Sequence, residues 1–290
     1  MPPLTAPTDE LTALARGRAW VDLSRHRRVQ VTGADARRWL HDLVTTDVAS
    51  LGAGDSRRTL LLDPTGHIRA DLHVAFDGSG FWLLQAPEQP EHVATALDPY
   101  VLSSDVRLED RSSQTSLIAL PGGSPNGGER GLHPSVLGGG NDLLTPVDEA
   151  IRPPDGRRVV GSAAVEVWRI RRGIARMGPD FDRRSIPAEA GLSGTIDTTK
   201  GCFLGQESIA RVSNLGHPAH LLLHLAADEP VDAGSAVVDA RDDDVGVVTS
   251  AASDHEGTGT WLLARIRWDA RDGLLRSEGG AELLPVGRSD

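Results

Sequence analysis

The sequence predicts an α+β protein built from more than one subdomain and finished by a small β-barrel. Three observations lead there. The first hundred residues show strand, helix, strand and strand patterns, not the strand–helix repeat of a doubly wound parallel sheet. From His220 onward the pattern is purely β, with short apolar strands separated by Asp/Gly turns. A chain of 290 residues also exceeds what one small core usually occupies, so two or three subdomains are expected.

Residues 1–10 are rich in Pro and Thr and read as a loose end. Leu11 to Trp20 reads as a short helix. Val29-Gln30-Val31 alternates as a strand, and Ala36, Trp39, Leu40 and Leu43 then recur at helical spacing. Thr59 to Leu62 and Ile68 to Phe76 are strands joined by the turn Asp63-Pro64-Thr65-Gly66, with a third strand at Phe81 to Leu84. Glu91 to Val101 reads as a helix broken at Pro99. Pro121 to Thr145 is dense in glycine and matches neither a phosphate-cradling loop nor a dinucleotide fingerprint, so it reads as surface loop. Ala163 to Trp168 alternates as a strand. In the β region, Leu221, Leu223 and Leu225 face one way and His220, Leu222 and His224 the other, a poor arrangement for a metal site. Further strands are expected at Ala236 to Val238, Val245 to Ser250 and Trp261 to Ile266.

The bulk chemistry narrows the function. A net charge of −11 argues against a nucleic-acid clamp, which needs a basic stripe. An arginine-rich stretch, Arg169, Arg171, Arg172 and Arg176, still offers guanidinium forks to an anionic ligand. The one cysteine excludes an intramolecular disulfide and a cysteine-rich metal or cluster site, and no metal site is expected. No charged-then-apolar leader opens the chain, and no apolar run reaches the roughly 18 residues of a membrane span. A cytoplasmic protein without a membrane partner is the expectation.

That cysteine, Cys202, stands in Lys200-Gly201-Cys202-Phe203-Leu204-Gly205-Gln206-Glu207, ahead of a short helix over Gln206 to Val212. A lone cysteine is often a small buried apolar residue. Here its neighbours are Lys, two Gly, Gln and Glu, a poor core environment. A helix N-terminus and Lys200 would favour the thiolate, and the glycines would let a ligand come close.

The same eight residues closely resemble the signature of the YgfZ family. These are folate-binding proteins linked to iron–sulfur cluster upkeep, related to the glycine-cleavage T-protein, an aminomethyltransferase. Val29 to Asp35 with Trp39-Leu40-His41 is similar to the first strand–helix of that GcvT superfamily. Leu61 to Ile68 resembles the hairpin that enters its folate site, and Gly246 to Ser250 its C-terminal barrel. T-proteins carry a catalytic Asp after that hairpin turn, and Asp71 is the matching position; from the residues alone it could equally be an edge-strand carboxylate facing water. Arg169 matches the arginine that holds the folate glutamate in their Leu-Arg-Leu-Glu-Ala-Gly stretch.

The resemblance implies a three-subdomain cloverleaf around a central folate channel. Expected boundaries are an extension at 1–20, an α+β subdomain at 21–110, a second at 111–212 with the glycine-rich loop 121–145 and the cysteine motif, and the barrel at 213–290. Tetrahydrofolate or a one-carbon derivative is the implied cofactor. Arg169 would engage its tail, Asp71 would face the one-carbon position and Cys202 would be the reactive thiol, with Lys200, Gly201, Gln206 and Glu207 helping to bind. Iron–sulfur client or assembly proteins are the implied partners. The alternatives are a true aminomethyltransferase of the glycine-cleavage type and a non-catalytic folate-binding or scaffold protein.

Overall fold

A computed structural model of the chain describes residues 1–102, 104–122, 131–149, 152–153, 156–253 and 259–287. In chain order the elements are α1 (Thr8–Ala15), β1 (Ala19–Asp22), β2 (Arg27–Thr32), α2 (Ala36–Leu43), β3 (Ser56–Leu62), β4 (Ile68–Phe76), β5 (Phe81–Gln85), α3 (Val93–Leu97), β6 (Arg107–Asp110), β7 (Thr115–Leu120), β8 (Asn141–Pro146) and β9 (Arg158–Val159). Then follow α4 (Ser162–Arg171), α5 (Gln206–Leu215), β10 (His220–Ala227), β11 (Ala236–Val238), β12 (Asp244–Ser253), β13 (Thr260–Arg267), β14 (Leu275–Ser277) and β15 (Glu282–Pro285). They gather into two compact units, neither continuous in sequence. One comprises Thr12–Val160 and Gly194–Ser208; the other comprises Met1–Leu11, Gly161–Ser193 and Ile209–Asp290.

The first unit, the sheet unit, holds two open sheets. A five-stranded antiparallel sheet runs β3-β4-β5-β2-β6, and a four-stranded sheet runs β8-β7-β1-β9. Ala36, Trp39, Leu40 and Leu43 are the buried stripe of α2, at the spacing read from the sequence. They share a core with Val29, Val31, Leu61, Leu72, Val74 and Leu83 from the five-stranded sheet. The β3–β4 hairpin pairs Leu60 with Asp71 and Arg58 with His73, closing at the turn 63–66 where Gly66 takes φ +87°.

The second unit, the barrel unit, is built on a closed barrel of order β10-β13-β12-β11-β14-β15. Alternate residues fill it: Leu225, Val237, Val245, Leu262, Ala264, Ile266, Leu275 and Leu283 are all buried together. The purely β pattern after His220 thus becomes the expected small barrel.

Four local readings need correction. Ala163–Trp168 is helix, not strand: Ala164, Val167 and Ile170 are the buried apolar positions of α4, spaced three apart. Leu11–Trp20 divides, with α1 ending before Gly17 at φ +64° and β1 beginning at Ala19. The stretch 121–145, read as surface loop, contains the start of β8, and Leu132 bridges Asp142. Residues 123–130 of that stretch lie outside the described residues. Residues 1–10 are not loose either: Leu4 bridges Ala252 and the Met1 amine donates to the Ala233 carbonyl.

Candidate functional site

The β3–β4 hairpin places Asp71 on an interior strand of the five-stranded sheet, not on an edge. Its side chain is 12% exposed and the Arg58 side chain 20%. Arg58 Nε donates to Asp71 Oδ1 at 2.9 Å and Nη2 donates to Oδ2 at 2.7 Å, a two-pronged pair. The Asp71 backbone is held as well: its N–H donates to Gln89 Oε1 at 3.1 Å, and its carbonyl accepts from Gln89 Nε2 at 2.6 Å. Next along the same face, burial, helped by the Arg58 charge, pushes the His73 imidazolium down to about 3, so that ring is neutral at physiological pH. Asp71 is therefore a fixed, charge-balanced carboxylate.

Arg58 also lines a cleft of about 470 Å³, together with Thr46, Asp55, Ser56, Arg57, His133, Pro134, Gly194 and Thr195. Small-molecule sites commonly measure about 300–1,000 Å³. Ser56 is 1% exposed and its Oγ has no hydrogen-bond partner among the described residues. A buried hydroxyl left unmatched is costly unless a ligand or water completes it. The neighbouring guanidinium of Arg57, on an exposed residue, suits a carboxylate. One wall is the arm 131–140, tied down through Asp142, whose carboxylate accepts from Ser135 Oγ at 2.5 Å and from the Val136 N–H at 2.8 Å. Burial pushes that carboxyl up to about 7.

The cysteine motif is tied to one residue of the cleft lining, Thr46. Lys200 Nζ donates to the carbonyls of His41, Val44 (2.6 Å) and Thr46 (3.0 Å), at and just beyond the end of α2. Asp197 N–H donates to the Thr45 carbonyl at 3.0 Å, and Thr45 Oγ1 donates to the Thr195 carbonyl at 3.0 Å. On the far side of the cysteine, Gly205 adopts φ +83°, and a Cβ there would sit 2.5 Å from the Asp63 carbonyl oxygen. Ser208 Oγ donates to the Pro64 carbonyl at 3.2 Å. Between these attachments Gly201 takes φ +101° and Cys202 is exposed, which excludes a buried apolar role. Gln206 Oε1 accepts from the Phe203 N–H at 3.1 Å, so it braces its own loop; Glu207 is exposed in the first turn of α5.

Arg169 belongs to the barrel unit. Its side chain is 7% exposed and its donors are committed: Nε to Glu166 at 2.7 Å, Nη1 to Asp180 at 2.7 Å and to the Ile174 carbonyl at 3.1 Å, Nη2 to Ser250 at 2.9 Å. Asp180 in turn accepts from Thr249 and Ser250. The structure thus brings Asp71, Lys200, Gly201, Cys202, Gln206 and Glu207 into one unit, with Arg169 in the other. Arg58, Ser56, Thr46 and the 131–140 arm escaped the sequence reading. Arg58 could have been found, because hairpin register puts it diagonal to Asp71.

Residues 5–126 match the GCVT N-terminal domain family. The whole fold matches the crystal structure of the glycine cleavage system aminomethyltransferase T from Bartonella henselae, with a TM-score of 0.81 over 98% of this chain and 90% of that one, at 20% identity. The fold is GcvT-like, and residues 5–126 carry the likeness to the GCVT N-terminal domain. Similar proteins include a chloroplastic protein of Arabidopsis thaliana, a transferase by name, 27% identical over 90% of this chain and 68% of its own. An aminomethyltransferase of Prosthecochloris aestuarii is 26% identical over 70% and 67%. An uncharacterized protein of Haemophilus influenzae is 25% identical over 81% and 84%. Among the described residues, no helix is long and apolar enough to cross a membrane.

Proposed function

We propose that this chain of GcvT-like fold is a tetrahydrofolate-binding protein of the YgfZ type that supports assembly or repair of iron–sulfur proteins through the thiol of Cys202. The observation that carries the reading is an exposed cysteine displayed on a loop fixed at both ends, one of whose anchors, Lys200, holds the cleft residue Thr46. The motif's likeness to the YgfZ signature supplies the biological role.

The cleft residues suit the cofactor. Tetrahydrofolate offers a donor- and acceptor-rich ring edge and a glutamate carboxylate. Ser56 Oγ lacks a partner among the described residues, and Arg57 is exposed and cationic. These two would hold polar groups of the cofactor, with Arg58, fixed from behind by Asp71, as a wall. Bound there, tetrahydrofolate would supply a carrier for a one-carbon unit. Asp71 orients and balances charge, because both its oxygens accept from Arg58. The exposed thiol is free to meet a partner cysteine or an electrophilic carbon, as a nucleophile requires.

The deciding experiment removes the gene and assays cluster-dependent enzymes, then restores either the native chain or Cys202→Ser. Loss of those activities, with rescue by the native chain alone, is expected. Full rescue by the serine variant sinks the proposal.

A second reading, a glycine-cleavage aminomethyltransferase, draws on relatives that carry that name and on the position of Asp71. Turnover of a lipoyl carrier protein with tetrahydrofolate and release of ammonia would favour it.

A further inference from the structure

We infer that Lys200 is a positioning residue for the Cys202 thiol, a plug in the C-terminal end of α2 that sets where the sulfur is displayed, and not the charge that activates it. The inference rests on the reading of Cys202 as the working thiol.

An ammonium has three N–H donors and no acceptor. In Lys200 they go to three carbonyls, those of His41, Val44 and Thr46. His41 lies in the last turn of α2 and Val44 is its C-cap, where unpaired carbonyls and the helix dipole concentrate negative charge. The lock is mutual. The Ala49 N–H donates to His41 Nδ1 at 3.3 Å, which leaves Nε2 to carry the ring proton and donate to the Lys200 carbonyl at 2.9 Å. Burial brings the lysine down to about 8, against the pull of Asp42, Asp47 and Asp197. The negative end of the α2 dipole and the carboxylates of Asp42, Asp47 and Asp197 oppose the field of the ammonium. The second attachment is independent of the first: Gly205 fits against the Asp63 carbonyl only because it has no side chain. Gly201 and Cys202 span the gap between the two.

A compact ammonium meets the three carbonyls from a single tetrahedral nitrogen, whereas a guanidinium in this space, sized for an ammonium, carries its donors on a wider planar fork. Lys200→Arg therefore keeps the charge and loses the fit, while Lys200→Met loses both. Amide exchange across Gly201–Leu204 and the pH dependence of Cys202 alkylation by iodoacetamide separate the roles. Both variants should speed exchange in that segment by about tenfold or more, since hydrogen bonds to a charged group are being removed. Neither should move the midpoint of the thiol's own ionisation. In the native chain, alkylation normalised to the thiolate fraction should show a second inflection near 8, absent from both variants.

An upward shift of the thiol midpoint in Lys200→Met, with native behaviour restored by Lys200→Arg, would overturn the proposal. If neither variant folds, amide exchange in the native chain decides: Gly201–Leu204 exchanging at the rate of unstructured peptide defeats it. These measurements use no folate and no client protein. An active Cys202→Ser chain would therefore defeat the functional reading while leaving the anchoring result distinguishable.

Discussion

Arg58 reaches diagonally across the β3–β4 hairpin to Asp71 through two parallel hydrogen bonds of 2.9 and 2.7 Å. Both side chains are mostly covered, and neither can leave without stranding the other. Asp71→Ala should destabilise the sheet unit by about 3 kcal/mol, because an uncompensated arginine remains partly buried. Asp71→Asn should cost less, since one amide oxygen still accepts from Arg58. Urea unfolding of both variants, with Arg58→Met and the double variant closing a cycle, measures the coupling.

Arg169 sits in a network with Glu166, Asp180 and Ser250. Arg169→Ala should lower stability by about 3–5 kcal/mol and shift Tm, whether or not folate is present. An arginine used only to grip a ligand tail would leave the Tm of the unliganded chain unchanged.

Gly205→Ala introduces a methyl group 2.5 Å from a carbonyl oxygen at a backbone φ of +83°. A loss of about 1–3 kcal/mol is expected, with faster amide exchange confined to the cysteine loop and the turn at 63–66. Gly201→Ala is the comparison, since no atom lies within 4 Å of its added carbon. It should carry only the conformational penalty of φ +101°.

Asp142 gives a pH dependence with a definite sign. Its folded-state value, about 7, lies above the unfolded 3.8, so the folded chain holds a proton that the unfolded chain releases. Its contribution is fully present below about pH 4, declines as pH rises and is lost by the time pH has passed through about 7. Asp142→Asn removes that slope and keeps an acceptor for the Val136 N–H, while its amide N–H turns toward Ser135 Oγ. The stability difference between native and variant chains should therefore move toward the variant from pH 4 to pH 8, followed by chemical denaturation at each pH.

What could be read from residues alone tracks the range of the interaction. The hairpin was legible because alternation and an Asp-Pro-Thr-Gly turn are local, and α2 because its apolar stripe spans two turns. Helix α4 was misread since the window 163–168 fits either period; only Ile170, beyond it, reveals the spacing of three. β8 hid behind glycines and opens on Asn141 and Asp142, polar residues whose burial no apolar alternation announces. The cysteine motif was conspicuous by composition. The carbonyls that take up Lys200 belong to residues about 155 positions earlier, and backbone acceptors have no side-chain signature.

The sheet unit is discontinuous: residues 161–193 interrupt it before Gly194–Ser208 return. During synthesis both sheets can therefore form while the thiol-bearing segment is still inside the ribosome. Until Lys200 emerges, the last carbonyls of α2 remain in water. The cysteine loop is thus a late addition to a scaffold already standing, and a nascent chain stalled near residue 190 would have the sheets without the thiol.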